Sequence, residues 1–197
     1  MAISDTRRAE IEQAAFDLLD ERGFENMSML TIAKRSRASN ETLYRLYGDK
    51  HGLVAALTRR SIDDMVAEVV TMLEKPGADV IEALTAAAIY MVRTIAGDRL
   101  TALDRAAAAD RTGQVGAAMI EHGRDTLSPV IERVIARGCA AGLFAVPSPA
   151  VATGWFMVLV MGDLRTRRMF RQLDSLSEAE IAERATAAVA AFRKLAV

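Results

Sequence analysis

Ser39-Asn40-Glu41-Thr42 places four polar side chains in a row, directly ahead of the apolar Leu43. This order suits hydrogen bonding to the edges of nucleobases. An asparagine side chain can pair in bidentate fashion with an adenine edge, and a threonine can touch a thymine methyl. If the four residues open a helix, its free N–H groups and positive dipole favour a nearby phosphate. Tyr44 and Arg45 then lie near a nucleic-acid backbone, and Leu43 faces a core. Lys50 falls in the first turn of the next helix, where a cation opposes the dipole. A phosphate opposite it would account for that placement. Taken singly, each of these polar residues also fits plain solvent exposure.

Such a reader needs two short helices joined by a tight turn, with a third starting directly after. The sequence supplies the signals. Ile11, Ala14, Ala15, Leu18 and Leu19 recur at helical spacing and predict a helix over 5–22, stopped by Gly23. Ser28 is a good N-cap for a helix over 29–35, and Ser39 for one over 40–46. Asp49 can cap a long fourth helix running to about residue 74. Pro76-Gly77 is the next clear break. The layout is that of a helix-turn-helix.

Composition supports an all-α chain. The 197 residues are 51% apolar, alanine is abundant, and there are only 4 prolines. Net charge is −1, which excludes a chain that is basic throughout. The charge is uneven, however. Residues 34–60 hold seven basic side chains (Lys34, Arg35, Arg37, Arg45, Lys50, Arg59, Arg60) against Glu41 and Asp49. A basic patch on a near-neutral protein fits one phosphate-binding face, and equally a solvated helix face.

Cys139 is the only cysteine, so no internal disulfide forms, as expected of a cytoplasmic protein. It reads as a redox-sensitive thiol or, more simply, as a small apolar side chain. With two histidines besides, no metal site and no cofactor are expected. The N-terminus shows an amphipathic pattern in place of an apolar leader segment. Residues 143–162 carry no charge, but Pro147-Ser148-Pro149 interrupts them. The apolar remainder is too short for roughly 30 Å of hydrocarbon, so no membrane partner is expected.

Beyond Gly77, helices are expected over 78–96, 99–111, 114–141, 149–171 and 178–195, giving about nine in all. Pro129 should kink or divide the third of these. Ser148 with Pro149 marks an N-cap followed by proline at the first helical position, and Ser177 with Glu180 makes a capping box.

The order Gly23-Phe24, Ser28, Ile32-Ala33, Ser39, Leu43-Tyr44, Tyr47, Lys50 and Leu53 closely resembles the N-terminal domain of TetR-family transcriptional regulators. The match covers roughly residues 8–57. The resemblance implies an all-α homodimer with a three-helix DNA-binding head over 1–48. A ligand-binding and dimerisation bundle would occupy 49–197, the helix from 49 to about 74 being shared. Carried over by position, Ser28, Ser39, Asn40, Thr42, Tyr44, Arg45 and Lys50 form the DNA-contacting set, and Ile32, Ala33, Leu43 and Tyr47 pack. The turn departs from the family's usual Ala-Gly-Val, reading Ser36-Arg37-Ala38 here. A positive φ at Arg37 would cost on the order of 1 kcal/mol relative to glycine, which a phosphate contact could offset. Leu46 also replaces a commoner aromatic or polar residue.

The resemblance further implies a double-stranded DNA operator as partner, a small-molecule effector, and a dimer through the last two long helices. Ala182, Ala185, Ala188 and Ala191 would let helices approach closely, between subunits or within one. Met65, Tyr90, Met91, Met119, His122, Trp155 and Phe156 can line an adaptable apolar pocket, or simply fill core. His51, beside Lys50, is expected at the surface. An enzyme is not expected: no activated nucleophile, acid–base pair or glycine-rich phosphate loop stands out. A ligand carrier with a degenerate head is the remaining rival, and the polar run at 39–42 argues against it.

Overall fold

The computed structural model describes residues 4–77 and 79–197, which form helices joined by turns and loops, with no strand. In chain order the helices are α1 (Asp5–Asn26), α2 (Met29–Ser36), α3 (Asn40–Tyr47), α4 (Lys50–Leu73), α5 (Val80–Ala96) and α6 (Asp98–Ala109). There follow α7 (Gln114–Met119), a π-helical turn (Ile120–Arg124), α8 (Asp125–Ala140), α9 (Pro149–Met161), α10 (Leu164–Met169) and α11 (Glu178–Leu195). The nine expected runs account for all of these, two of them being interrupted. The expected start of the fifth, Ala78, lies outside the described residues.

Both interruptions have local causes. The run over 114–141 breaks at the π turn, while Pro129 sits inside a continuous α8. Proline lacks an N–H and crowds the carbonyl four residues back. The π turn ends at Arg124, directly before Asp125, the residue whose carbonyl Pro129 crowds. The run over 149–171 breaks at Gly162, whose φ of 49° and ψ of −136° leave the helical region. That conformation is open to glycine and costly for residues with a Cβ.

The described chain divides into two compact units. One comprises residues 4–61 with Arg99–Ile120; the other comprises Ile62–Asp98 with Glu121–Val197. The first unit therefore extends past residue 48 into α4 and takes in most of α6 and all of α7. Its core is Ile11, Ala15, Leu18 and Leu19 of α1, Ile32 of α2, Leu43 of α3, Leu53 and Leu57 of α4, and Leu103 of α6, all buried. The α1 residues are among those that the apolar spacing of 5–22 marks, and Ile32 and Leu43 are buried as expected of them.

In the second unit, α5 packs on α11, α8 on α9, and α11 on α9. An aromatic stack sits at its centre. Phe192 meets Phe144 at 5.4 Å between ring centroids and Phe156 at 5.6 Å, both edge to face. Gly138 of α8 makes room for this stack. A Cβ there would lie 2.3 Å from the Phe144 ring and 3.3 Å from Val80 Cγ1. Gly138→Ala gains about 1 kcal/mol of helix propensity but overpacks the core, which costs about 1–3 kcal/mol. We expect net destabilisation. A urea midpoint equal to or above wild type would show that the ring moves aside freely.

Polar ties complete the second unit. Arg168 of α10 is buried and pairs with Asp98. Arg93 of α5 grips Glu178 at the start of α11 with two nitrogens, at 3.1 and 2.5 Å.

Candidate nucleic-acid interface

Two serines set the ends of the helix pair. Ser28 Oγ accepts the Thr31 N–H at 3.2 Å, and the Thr31 hydroxyl oxygen accepts the Ser28 N–H at 3.0 Å, closing a capping box on α2. Ser39 Oγ accepts the Thr42 N–H at 3.0 Å and lies 2.8 Å from Thr42 Oγ1. Between the helices the chain turns at Arg37, with φ 53° and ψ 33°. The left-handed conformation is thus real, and an arginine occupies it. The Ala38 N–H returns to the Ala33 carbonyl at 3.0 Å, which fixes the turn.

This arrangement turns the polar set outward. Asn40, Glu41, Tyr44 and Arg45 are exposed, and Thr42 is half-buried. Tyr44 keeps 52% of its surface accessible despite its size. Leu43 is fully buried beneath them. Arg37 is exposed, as are the α2 residues Lys34 and Arg35. Among the described residues no ion pair engages Lys34, Arg37 or Arg45. Arg35 instead grips Glu21 of α1 through two bonds of 2.6 and 2.8 Å. This mutual bond lowers the Glu21 carboxyl below its ordinary pKa and raises the Arg35 guanidinium above its own.

Lys50 has internal partners that local spacing does not reveal. Its Nζ donates to the Phe24 carbonyl at 2.9 Å and to the Glu25 carbonyl at 3.4 Å, and lies 4.4 Å from the Phe24 ring centroid. The cation that opposes the dipole of α4 thus serves the carbonyls closing α1. Tyr47 is half-buried, and its hydroxyl is buried without a hydrogen-bond partner among the described residues. Burial first, and the nearby Glu12 charge second, push its pKa up.

His51 departs from the surface position expected of it. Its Nδ1 lies 2.8 Å from Asp110 Oδ1, and the Asp110 side chain is fully buried. An ionised carboxylate only accepts, so in this contact Nδ1 carries the proton. Asp110 also accepts the Thr112 N–H at 2.9 Å, the Thr112 hydroxyl at 2.6 Å and the Val115 N–H at 2.9 Å. Burial by itself would raise the Asp110 pKa. The bonds from Thr112, Val115 and His51 outweigh it and hold the carboxyl well below the usual range. A depressed folded-state pKa stabilises the fold above the unfolded value of about 4, and the gain fades as pH falls below that. Asp110→Asn should therefore be less stable at pH 7 and lose less stability than wild type between pH 5 and pH 2. Parallel urea-midpoint curves for the two proteins would refute this.

The expected pocket residues are scattered. Met65, Tyr90, Met119, His122 and Trp155 are half-buried, while Met91 and Phe156 are buried. Phe156 belongs to the aromatic stack. Met119 falls in the first unit and the other six in the second. His122 Nδ1 lies 2.9 Å from Asp63 Oδ1, joining the π turn to α4. The described residues contain no cluster of three or more His, Cys, Asp or Glu suited to a metal, and no single helix long and apolar enough to cross a membrane. Cys139 is half-buried on α8.

A capped helix pair with an outward polar face, followed by a helical body, defines a helix-turn-helix regulator. Residues 11–57 match the bacterial regulatory proteins of the tetR family, and residues 82–195 match the C-terminal domain of AefR-like transcriptional repressors. The chain belongs to the TetR family of transcriptional regulators and is not an enzyme. No curated relative matches it in sequence. Among solved structures it resembles a TetR-family transcriptional regulator of Mesorhizobium loti, with a TM-score of 0.81, 25% identity and all of both chains covered. The flavonoid-responsive regulator FrrA gives 0.70 at 24% identity, over 97% of each chain. FadR of Bacillus subtilis, solved with stearoyl-CoA, gives 0.78 at 14% identity, over 96% of this chain and all of that one. At those identities the last two likenesses concern fold alone.

Proposed function

We propose that this regulator is a cytoplasmic repressor that binds a near-palindromic operator as a homodimer and leaves it when a mostly apolar effector binds its body. The outward polar face of α3, carried on a serine-capped helix, is the observation that supports the reading most. Asn40 and Thr42 read base edges, while Ser28, Arg37, Ser39, Tyr44, Arg45 and Lys50 contact or position the backbone. In a dimer the two α3 helices lie about 34–36 Å apart, in successive major grooves. Met65, Tyr90, Met91, Met119, His122, Trp155 and Phe156 remain the candidates for effector contact.

Exposed apolar side chains support the dimer. α9 leaves Val151 47% and Val158 67% accessible, and Phe170, just after α10, is 63% accessible. On α11, Ala185 and Ala188 are buried within the subunit, so the close-approach role narrows to the half-buried Ala182 and Ala191. Val158→Glu places a charge on this face, and an unpaired charge resists burial in an interface. Sedimentation should show monomer where wild type is dimer; an unchanged dimer would place the interface elsewhere.

The effector class is tested by release. The duplex that the wild-type protein enriches from a randomised pool is labelled and its anisotropy followed. Stearoyl-CoA and a flavonoid serve as apolar probes. Release by either, with no effect of coenzyme A alone, supports an apolar effector. Tighter binding with a probe would make the effector a co-repressor and refute the release mechanism.

A further inference from the structure

We infer that His51 and Asp110 are positioning residues for DNA binding, which fix the seam between α1 and α2 from a segment remote in sequence. The inference rests on the DNA-binding reading above.

Asp110 directly follows α6. Three of its bonds, to Thr112 N, Thr112 Oγ1 and Val115 N, stay within its own turn and would suffice to close it. The fourth crosses 59 residues of sequence to His51, in the first turn of α4. The His51 ring stands edge-on to Phe24, at 5.2 Å and 70°. Lys50 lies over the same Phe24 ring and bonds its carbonyl. Phe24 is buried, and so is Met27, the residue just before the Ser28 cap of α2. The Met27 N–H donates to the Phe24 carbonyl at 3.4 Å, so the contacts run from Asp110 through His51 and Phe24 to the residue before the Ser28 cap.

The same segment is held at its other end as well. The Arg99 guanidinium lies 4.0 Å from the Phe16 ring centroid of α1, and its Nη2 is 3.4 Å from Gln13 Oε1. α6 thus grips α1 at one end and the first turn of α4 at the other. α2 and α3 are only eight residues each, too short to hold an orientation unaided. Their entry angle depends on what fixes Phe24.

The test compares His51→Ala with His51→Asn, whose amide nitrogen can stand where Nδ1 stands and donate to Asp110. Affinity is measured at 20 °C, where circular dichroism shows each variant folded, for the duplex that the wild-type protein enriches from a randomised pool. A charge-assisted hydrogen bond of this kind corresponds to about a tenfold change in an equilibrium. His51→Ala should bind about 10-fold more weakly, and His51→Asn should recover most of that loss. A purely structural role would lower the melting temperature and leave this affinity unchanged. Wild-type affinity in His51→Ala, or equal losses in both variants, would overturn the assignment. Hydrogen exchange of the free protein reads the contact without DNA. Amides of residues 24–31 should exchange faster in His51→Ala than in wild type and His51→Asn, and equal rates would overturn it. A wild-type protein that enriches no duplex defeats the DNA-binding reading, while the exchange comparison still decides whether His51 holds the seam.

Discussion

An Asn40→Ala/Thr42→Ala variant should lose sequence-specific binding while keeping its fold and its weak affinity for arbitrary DNA. Each good base contact is worth about 1–3 kcal/mol of discrimination, so the pair should cost about 2–6 kcal/mol, or roughly 30- to 20,000-fold in affinity. The fold should survive because neither side chain is core. Asn40 is exposed, and the bond that caps α3 runs from the Thr42 backbone N–H to Ser39 Oγ, which alanine retains. Phosphate contacts set non-specific affinity and its salt slope, and both should stay near wild type. Equal losses on operator and on random DNA would mean that these residues position the backbone and do not read sequence.

The largest effect on stability is expected at Phe192. It is fully buried on α11 and joins Phe144 to Phe156 through two edge-to-face contacts. Phe192→Ala removes a large core side chain and leaves a cavity, which costs about 3–5 kcal/mol. The loss of two aromatic pairs places the expected value toward the upper end. For a chain of this length that corresponds to a fall of roughly 10 °C in melting temperature. A fall of only one or two degrees would mean that the neighbouring helices collapse into the space.

These two sites mark what was legible in the sequence. The helix pair was, because its signals are local: Ser28 and Ser39 three residues ahead of the N–H groups they cap, Leu43 at the inward position, and Gly48 at the stop of α3. Ser148 and Ser177 announced α9 and α11 in the same way, and both caps form. Local signals end where contacts become remote. Nothing near Asp110 points to His51, and nothing near Lys50 points to the Phe24 carbonyl 26 residues earlier. The π turn carries no residue signature of its own; only Pro129 downstream hinted at a disturbance, and it misplaced the break. The pocket residues were the least legible. Methionine and aromatic residues at helical spacing serve a core as well as a cavity, and burial alone, as at Met91 and Phe156, does not tell the two apart.

Arg37 shows how a local rule can be broken without loss of the fold. The family's turn normally places glycine near this left-handed position, yet arginine adopts it here at φ 53°. The cost, on the order of 1 kcal/mol, is small beside the burial of Ile32 and Leu43 on either side. The side chain stays exposed, beside the outward face of α3.

The central claim is that α3 reads DNA sequence. The most direct test is binding of the full chain to a duplex enriched from a randomised pool, measured against a scrambled duplex across salt concentrations. Sequence reading by α3 requires nanomolar-range binding to the enriched duplex, at least 10³-fold tighter than to the scrambled one, weakening steeply as salt rises. Equal, weak binding to both duplexes would contradict it and make the helical body a ligand carrier with a silent head.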